Sequence, residues 1–264
     1  MLAHLREAVR GTLPPRVVHA YRLVRHTMLW PCEPEMVAAR QFLSPDKIAV
    51  DVGANVGLFT AVLARRSNKV IAFEPNPSCA KHLRKVAPRN CEVIAKAVSD
   101  SGGKALLRVP VSQGIPMHAL ATIETANRHD TELRATSFVT HEVEKVTLDQ
   151  ALLGQTATEG LAFINIDAEG HEFAVLRGSE GLIANHQPVL LVELEYRHGA
   201  QVPEIFEWLK LRGFAAWALK TSHTLTPINP AQLAILQDET RLARRLAGSR
   251  HSGYVNNIFF IPDP

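Results

Sequence analysis

Short apolar runs that end in an acidic residue recur along the chain, and most are followed by a segment with helical spacing of apolar residues. The clearest runs cover residues 48–51, 69–74, 161–167 and 189–195. Apolar runs of this length indicate buried strands, whereas apolar residues three and four positions apart indicate helices. Strands that alternate with helices favour a mainly parallel sheet with helices on both faces. The pattern therefore predicts an α/β, doubly wound, Rossmann-like fold.

The rest of the chain supplies further elements of both kinds. Additional strands are predicted at 91–95, 105–109, 143–148, 214–219 and 255–261, and helices at 76–86, 149–153, 172–176, 203–212 and around 241–245. Residues 1–43 show the pattern of amphipathic helices broken by Gly and Pro. This segment either covers one end of the main domain or meets a second subunit in a homodimer. We therefore predict a helical N-terminal segment, 1–43, and one main domain, 44–264.

The periodicity fails in the middle of the chain, where residues 110–142 show no clear helical or strand repeat. Long irregular segments within enzymes often bind substrates. We therefore predict that residues 110–142 form an insertion that holds the substrate-binding surface. Its histidines, His118, His129 and His141, are widely and irregularly spaced, which favours solvated loop residues over a metal site.

Composition narrows the classes of protein to consider. The 264 residues are 46% hydrophobic, enough for one large core, and a net charge of +3 does not imply general affinity for nucleic acid. No apolar run reaches the roughly 18 residues of a membrane-spanning helix. Three scattered cysteines, Cys32, Cys79 and Cys91, suit a reducing compartment rather than a disulfide framework or a zinc site. We therefore expect a cytoplasmic protein with no transmembrane segment and no nucleic-acid partner.

Basic residues are concentrated near the N-terminus. Residues 1–30 contain one acid, Glu7, and five arginines, Arg6, Arg10, Arg16, Arg22 and Arg25. A solvated helix face explains this excess. Peripheral contact with a membrane surface or a phosphate-bearing partner is the alternative.

The stretch from Asp51 to Gly57 predicts a strand, a tight loop and a helix that bind a nucleotide-containing cofactor. Gly53 and Gly57 allow the backbone to turn sharply and approach a ligand, and the following helix points free N–H groups at it. The loop has Asn55 and lacks the middle glycine of a dinucleotide fingerprint. Glu74 ends the next strand, where doubly wound nucleotide-binding folds place a carboxylate that binds the ribose hydroxyls. Because the anionic Asp51 suits a cationic amino-acid ligand better than a pyrophosphate, the inferred cofactor is S-adenosylmethionine.

Residues 96–100 form the loop after the predicted third strand. The adenine ring would rest there, with Ser99 or Asp100 reaching its exocyclic amine. An ordinary polar turn before Gly102 is the alternative. Ser99 and Asp100 are therefore further candidates for cofactor binding.

Acidic residues and a histidine collect at the ends of adjacent predicted strands, where open α/β sheets bind their ligands. If the cofactor's methyl group goes to an alcohol, donor, methyl group and acceptor oxygen must lie in line, and a base must take the hydroxyl proton. Asp167 is the first candidate for this base, His171 is the second, and Glu193 is a third functional residue. Asp167 and Glu193 would also suit Mg²⁺, but they are not a full ligand set, so no metal ligand is assigned.

Four blocks of the sequence occur in a fixed order: Asp51–Gly57, Phe73–Pro77, Thr147–Asp149 and Ile166–Glu172. In order and spacing they resemble the FkbM-type S-adenosylmethionine-dependent methyltransferases, and the resemblance covers roughly residues 35–195. It implies a seven-stranded methyltransferase sheet, mainly parallel with an antiparallel last strand, and usually O-methylation. The family commonly has Lys-Ile-Asp where this chain has Asn165-Ile166-Asp167, so a neutral hydrogen-bonding group replaces a charge.

The resemblance and the predicted site indicate an S-adenosylmethionine-dependent O-methyltransferase. Its acceptor would be a hydroxyl of a sugar, a polysaccharide precursor or a secondary metabolite, so the expected partner is a small molecule or a glycan. One alternative is a catalytically silent methyltransferase-like module that binds a partner through the basic N-terminal segment. Another is an NAD-dependent oxidoreductase or epimerase, which the missing glycine disfavours.

Overall fold

Strands and helices alternate through most of the chain, as predicted. The computed structural model describes residues 14–24, 34–124, 137–198, 201–221, 224–246 and 253–263. Its strands are β1 Ile48–Val52, β2 Lys69–Phe73, β3 Cys91–Ile94, β4 Ala97–Val98, β5 Gly103–Ser112, β6 Ile115–Pro116, β7 Ser137–Val146, β8 Leu161–Ile166, β9 Val189–Glu193, β10 Phe214–Thr221, β11 Thr224–Pro227 and β12 Asn257–Pro262. Its helices are α1 Pro15–Val24, α2 Glu35–Ala38, α3 Leu58–Leu63, α4 Pro77–Val86, α5 Leu148–Glu159, α6 Glu172–Arg177, α7 Glu180–His186, α8 Val202–Lys210, α9 Pro230–Leu236 and α10 Glu239–Leu246. Short 3₁₀ helices cover Ala39–Phe42, His118–Leu120 and Tyr196–His198.

The main sheet has the strand order β11-β10-β12-β9-β8-β1-β2-β3. β3, β2, β1, β8 and β9 are parallel, whereas β12 is antiparallel to its neighbours β9 and β10. The predicted mainly parallel sheet with an antiparallel last strand is therefore confirmed. The described chain places eight strands in this sheet rather than seven, because β11 adds an antiparallel edge strand beside β10. The sequence of β11, Thr-Leu-Thr-Pro, has too few apolar positions to indicate a strand.

Side chains of the buried strands pack into hydrophobic clusters on both faces of the main sheet. All five residues of β1 are buried. Val50 packs in one hydrophobic cluster and Ala49 in another, since successive side chains of a strand point to opposite faces. Phe59 of α3 stacks on Phe163 of β8, with ring centroids 6.3 Å apart. This contact holds α3 against the sheet directly after the loop that follows β1.

Helices α1 and α2 and the 3₁₀ helix Ala39–Phe42 lie in the predicted N-terminal segment. His19 and Leu23 are buried on one side of α1. Residues 1–13 and 25–33 lie outside the described residues, and the domain division stays a prediction. Across the described chain, no helix has the length and apolar character needed to cross a membrane.

Strands β4, β7, β5 and β6 form a second sheet in that order. β5 and β7 are antiparallel strands of 10 residues each. The strands predicted at 105–109 and 143–148 correspond to β5 and β7, which reach further into the predicted insertion. The sequence does not show this extension, because exposed polar residues obscure the alternation of apolar and polar positions. The irregular part of the predicted insertion at 110–142 is correspondingly shorter. His129 lies within 125–136, outside the described residues.

Candidate active site

Two cavities lie at the carboxyl ends of the parallel strands. The first comprises about 590 Å³ of space between atoms and the second about 710 Å³, including the part that is open to solvent. Gly53, Asn55 and Asp167 line both cavities. The two cavities therefore meet where β1 and β8 end, at the edge of the sheet where open α/β folds bind ligands.

The loop after β1 adopts conformations that favour glycine. Gly53 has φ +79° and Gly57 has φ +83°, and Asn55 between them has φ 48°. A Cβ atom on Gly53 would lie 1.8 Å from the carbonyl oxygen of Asp167. The sequence predicts that Gly53 permits close approach to a ligand, and in the structure the close approach is to the backbone after β8. The loop is thereby seated directly on the neighbouring strand end.

Glu74 joins the end of β2 to the glycine loop. Its Oε2 accepts a hydrogen bond from the Asn55 backbone N–H (2.6 Å), and its Oε1 accepts one from the Asn76 N–H (2.7 Å). Burial raises the pKa of Glu74 to about 7, although both N–H donors act in the opposite direction. Each carboxylate oxygen keeps a second lone pair. Glu74 lines the first cavity and can accept further hydrogen bonds there.

Asp51 is fully buried and held from two sides. Its Oδ2 accepts from the Thr60 hydroxyl (2.5 Å), and its Oδ1 accepts from Asn165 Nδ2 (2.9 Å). Burial raises the pKa of Asp51, while these two hydrogen bonds lower it. Asp51 and Asn165 both line the second cavity. The hydrogen bond from Asn165 therefore fixes the orientation of Asp51, the carboxylate predicted to bind the cofactor. The sequence shows Asn165 only as a departure from the family lysine.

A segment between the second sheet and the first cavity forms one wall of that cavity; we call residues 118–123 the strap. Apolar strap residues line the cavity together with Phe73 and Leu107. His118 Nδ1 lies 3.0 Å from Asn76 Nδ2, and the Thr122 hydroxyl donates to the Glu169 carbonyl at 2.8 Å. The sequence predicts His118 in a substrate loop, but it does not predict that this segment lines the cavity that Glu74 also lines.

His171 lines the first cavity with both ring nitrogens engaged. Its Nε2 lies 2.9 Å from the Ser99 Oγ, and its Nδ1 lies 3.2 Å from Glu124 Oε2. A base must have a nitrogen free to take a proton from the acceptor. His171 therefore needs to lose one of these partners before it can act as the predicted second base.

Ser99 and Asp100 lie beside the first cavity but are not among the described residues that line it. Ser99 is buried against His171. Asp100 Oδ2 accepts from Arg177 Nη2 at 2.8 Å. Lys96 and the two residues that follow it line the cavity instead. The roles of Ser99 and Asp100 in cofactor binding stay predictions.

Asp167 and Glu193 end adjacent strands and both line the second cavity. Their carboxyl groups lie next to each other, so the charge of one disfavours ionisation of the other. Burial, and next the charge of Asp167, raises the pKa of Glu193 well above its ordinary range. Asn256 Nδ2 donates to Glu193 and also to Glu195 (3.0 Å). The structure thus brings together two of the three predicted catalytic residues.

One group among the described residues could hold a metal ion: Glu169, Glu193 and His198, whose ligand atoms lie within 4.8 Å of one another. His198 Nδ1 lies 3.5 Å from Glu169 Oε2, and Nε2 lies 3.6 Å from Glu195 Oε2. A protonated His198 would itself balance charge in this cluster. The alternative of Mg²⁺ held by Asp167 and Glu193 stays a prediction.

The second cavity also receives residues from both ends of the chain. Glu35 and Met36 of α2, Arg245 of α10 and Asn257 of β12 complete its lining. The sequence offered no signal for these contributions, because the segments are distant along the chain and only the sheet order brings them to Asp167.

Comparison with known proteins identifies the family. The Methyltransferase FkbM domain model matches residues 51–215. The crystal structure of Methyltransferase FkbM from Methylobacillus flagellatus KT has 15% identity and a TM-score of 0.48, with 87% of this chain and 50% of that chain covered. This chain thus spans about half the length of that protein. An rRNA methylase from Streptococcus thermophilus has 14% identity and a TM-score of 0.45, with 90% and 99% covered.

A precorrin-6y C5,15-methyltransferase from Geobacter metallireducens GS-15 has 9% identity and a TM-score of 0.43, with 88% of this chain and 87% of that chain covered. No curated protein sequence matches the chain. The family model, in contrast, covers more than half of the chain and begins at the cofactor loop. The chain therefore belongs to the methyltransferase FkbM domain family.

Proposed function

We propose that the protein is an S-adenosylmethionine-dependent O-methyltransferase whose acceptor is a hydroxyl of a sugar, a polysaccharide precursor or a secondary metabolite. The observation that carries this proposal is the meeting of two cavities at Gly53 and Asp167. Methyl transfer needs two ligands whose reacting atoms meet in line. Two adjoining cavities satisfy this requirement without rearrangement of the sheet.

The first cavity suits the adenosine part of the donor. Glu74 offers buried acceptor oxygens for ribose hydroxyls, and Phe73, Val98 and Leu107 offer apolar surface for a flat base. The methionine part would then extend past Gly53 toward Asp51. A carboxylate there attracts the ammonium and sulfonium charges of this ligand.

The chain's own residues account for alignment and proton removal. The bound donor supplies an electrophilic methyl group. Asp167 lies at the junction of the cavities, so its carboxylate would orient the acceptor hydroxyl and take its proton. The adjacent carboxyl group of Glu193 would help to hold Asp167 in place. Both groups are only partly exposed, which limits competition from water.

The second cavity suits a polyhydroxylated acceptor. Carboxylates of Glu35 and Glu193 accept hydrogen bonds from hydroxyl groups, and the amide of Asn257 and the guanidinium of Arg245 donate them. Phe59 adds an apolar surface on which the face of a sugar ring can pack. Incubation with methyl-labelled donor and a panel of glycosides and nucleotide sugars tests the proposal. Binding of S-adenosylhomocysteine without turnover on any acceptor would favour the silent module instead.

Replacing Glu74 by alanine should weaken S-adenosylhomocysteine binding by roughly 1–3 kcal/mol, the cost of losing a charged hydrogen-bond partner. This corresponds to about 5- to 150-fold in affinity, and titration calorimetry measures it. Glu92→Ala is the matched control, because Glu92 is an exposed acid on the adjacent strand β3. Unchanged affinity in Glu74→Ala would remove this residue from the site.

The raised pKa of Glu74, about 7, predicts a pH-dependent affinity. Ribose hydroxyls donate better to the carboxylate than to the neutral acid, so affinity for S-adenosylhomocysteine should rise by up to about tenfold from pH 6 to pH 8. Calorimetry on the Glu74→Gln variant should show a flatter profile. The folded state also binds this proton more tightly than the unfolded state, so the free energy of unfolding should fall as the pH rises from about 4.5 to about 7. A wild-type affinity profile as flat as that of Glu74→Gln would contradict the assignment.

A further inference from the structure

Helix α1 and the outer side of α4 form one surface, which we call the N-terminal face. His19 and Leu23 are buried beneath α1, and Arg16 Nε donates to the Lys85 carbonyl at 3.1 Å. The two helices are thus tied together, and none of their described residues lines either cavity of the proposed site. Nothing in the proposed methyl transfer uses this surface.

An apolar ridge runs along the exposed side of α1. Val17 is 48% exposed, Tyr21 63% and Val24 40%. Their spacing of four and three residues aligns them in one row along the helix. Single exposed apolar residues are normal on a protein surface. A row of them that includes a tyrosine, on a helix with basic residues, is typical of helices that lie in a membrane interface.

Basic side chains are exposed on both helices of the N-terminal face. Lys81, Arg84 and Lys85 are exposed on α4, and Arg16 is exposed on α1. The sequences of the two helices contain no Asp or Glu. Burial, and next the charges of neighbouring basic groups, lowers the pKa of both His19 and His82. The electrostatic potential on this side of the molecule therefore favours anions.

We propose that the N-terminal face binds the surface of an anionic phospholipid membrane. The ridge would enter the headgroup region while the basic residues contact the lipid phosphates. Each basic residue near an anionic membrane strengthens binding by about fivefold. RNA would satisfy the basic residues but not the apolar ridge, so the membrane is the better match. This proposal does not depend on the proposed methyl transfer.

Co-sedimentation of the full chain with vesicles of phosphatidylcholine, alone or mixed with phosphatidylglycerol, tests the proposal. We expect binding to the mixed vesicles only, and weakening by added salt. The double variant Arg84→Ala/Lys85→Ala should bind about 25-fold more weakly. Val17→Ser/Tyr21→Ser should lose about tenfold or more.

Two control variants carry the same changes on other elements. Lys47→Ala/Lys210→Ala alters exposed basic residues, and Leu211→Ser/Ile235→Ser alters apolar residues that are 76% and 64% exposed. Both should bind vesicles like the unmodified chain. No binding to mixed vesicles, equal losses in the controls, or binding to an RNA hairpin without binding to vesicles would each overturn the proposal. Affinity for S-adenosylhomocysteine, measured on the same variants, reports separately on the cofactor site.

Discussion

Replacing Gly53 by alanine should destabilise the protein by about 2–5 kcal/mol and abolish detectable binding of S-adenosylhomocysteine. Two costs add. A side chain at φ +79° costs roughly 1–2 kcal/mol, and the new Cβ would lie 1.8 Å from the Asp167 carbonyl oxygen, which forces a displacement worth roughly 1–3 kcal/mol. Because Gly53 lines both cavities, that displacement moves the strand ends where donor and acceptor would meet. Chemical denaturation measures the first effect and calorimetry the second.

Gly213 provides a matched control for this substitution. Its φ of +80° is almost the same, but a Cβ there would meet no atom within 4 Å. Gly213→Ala should therefore cost only the roughly 1–2 kcal/mol of the left-handed backbone and leave cofactor affinity unchanged. If both variants lost the same stability, contact with the β8 end would not be the reason for glycine at position 53.

Local features of the cofactor side could be predicted from the sequence because they depend on neighbouring residues. An apolar run followed by closely spaced glycines is a strand and a tight turn in any context. The helix predicted from residue 76 is α4, and the Asn76 side chain caps it by accepting from the Ser78 N–H at 3.0 Å. Glu74 follows β2 directly, so its position at the sheet edge follows from the strand itself.

Contacts between distant segments could not be predicted in the same way. Asp51 of β1 and Asn165 of β8 are register partners in the parallel sheet, and their hydrogen bond spans 114 residues of sequence. A single sequence fixes neither strand order nor register. For the same reason, the sequence does not predict that α2 and α10 line the second cavity or that the strap lines the first cavity.

The structure also changes the weight of the two candidate bases. His171 has Ser99 and Glu124 on its ring nitrogens, so its position is defined by the protein rather than open to an acceptor. Asp167 instead lines both cavities and lies beside Glu193, whose raised pKa favours its neutral form. Once the pair is ionised, Asp167 can accept a proton from an alcohol, because Glu193 can hold the proton that remains in the pair. We therefore expect Asp167, and not His171, to carry the proton transfer.

Asp167→Asn should leave the affinity for S-adenosylhomocysteine within about twofold of the original while turnover falls by roughly 10²- to 10⁴-fold, the usual contribution of general base catalysis. Asparagine keeps the size and one acceptor oxygen of aspartate but cannot take a proton at neutral pH. Transfer of labelled methyl groups to an accepted glycoside measures turnover, and calorimetry measures affinity. Asp46→Asn, on an exposed loop before β1, is the control and should change neither quantity. Equal loss of affinity and turnover would assign Asp167 a structural role, and full turnover would return the role of base to His171.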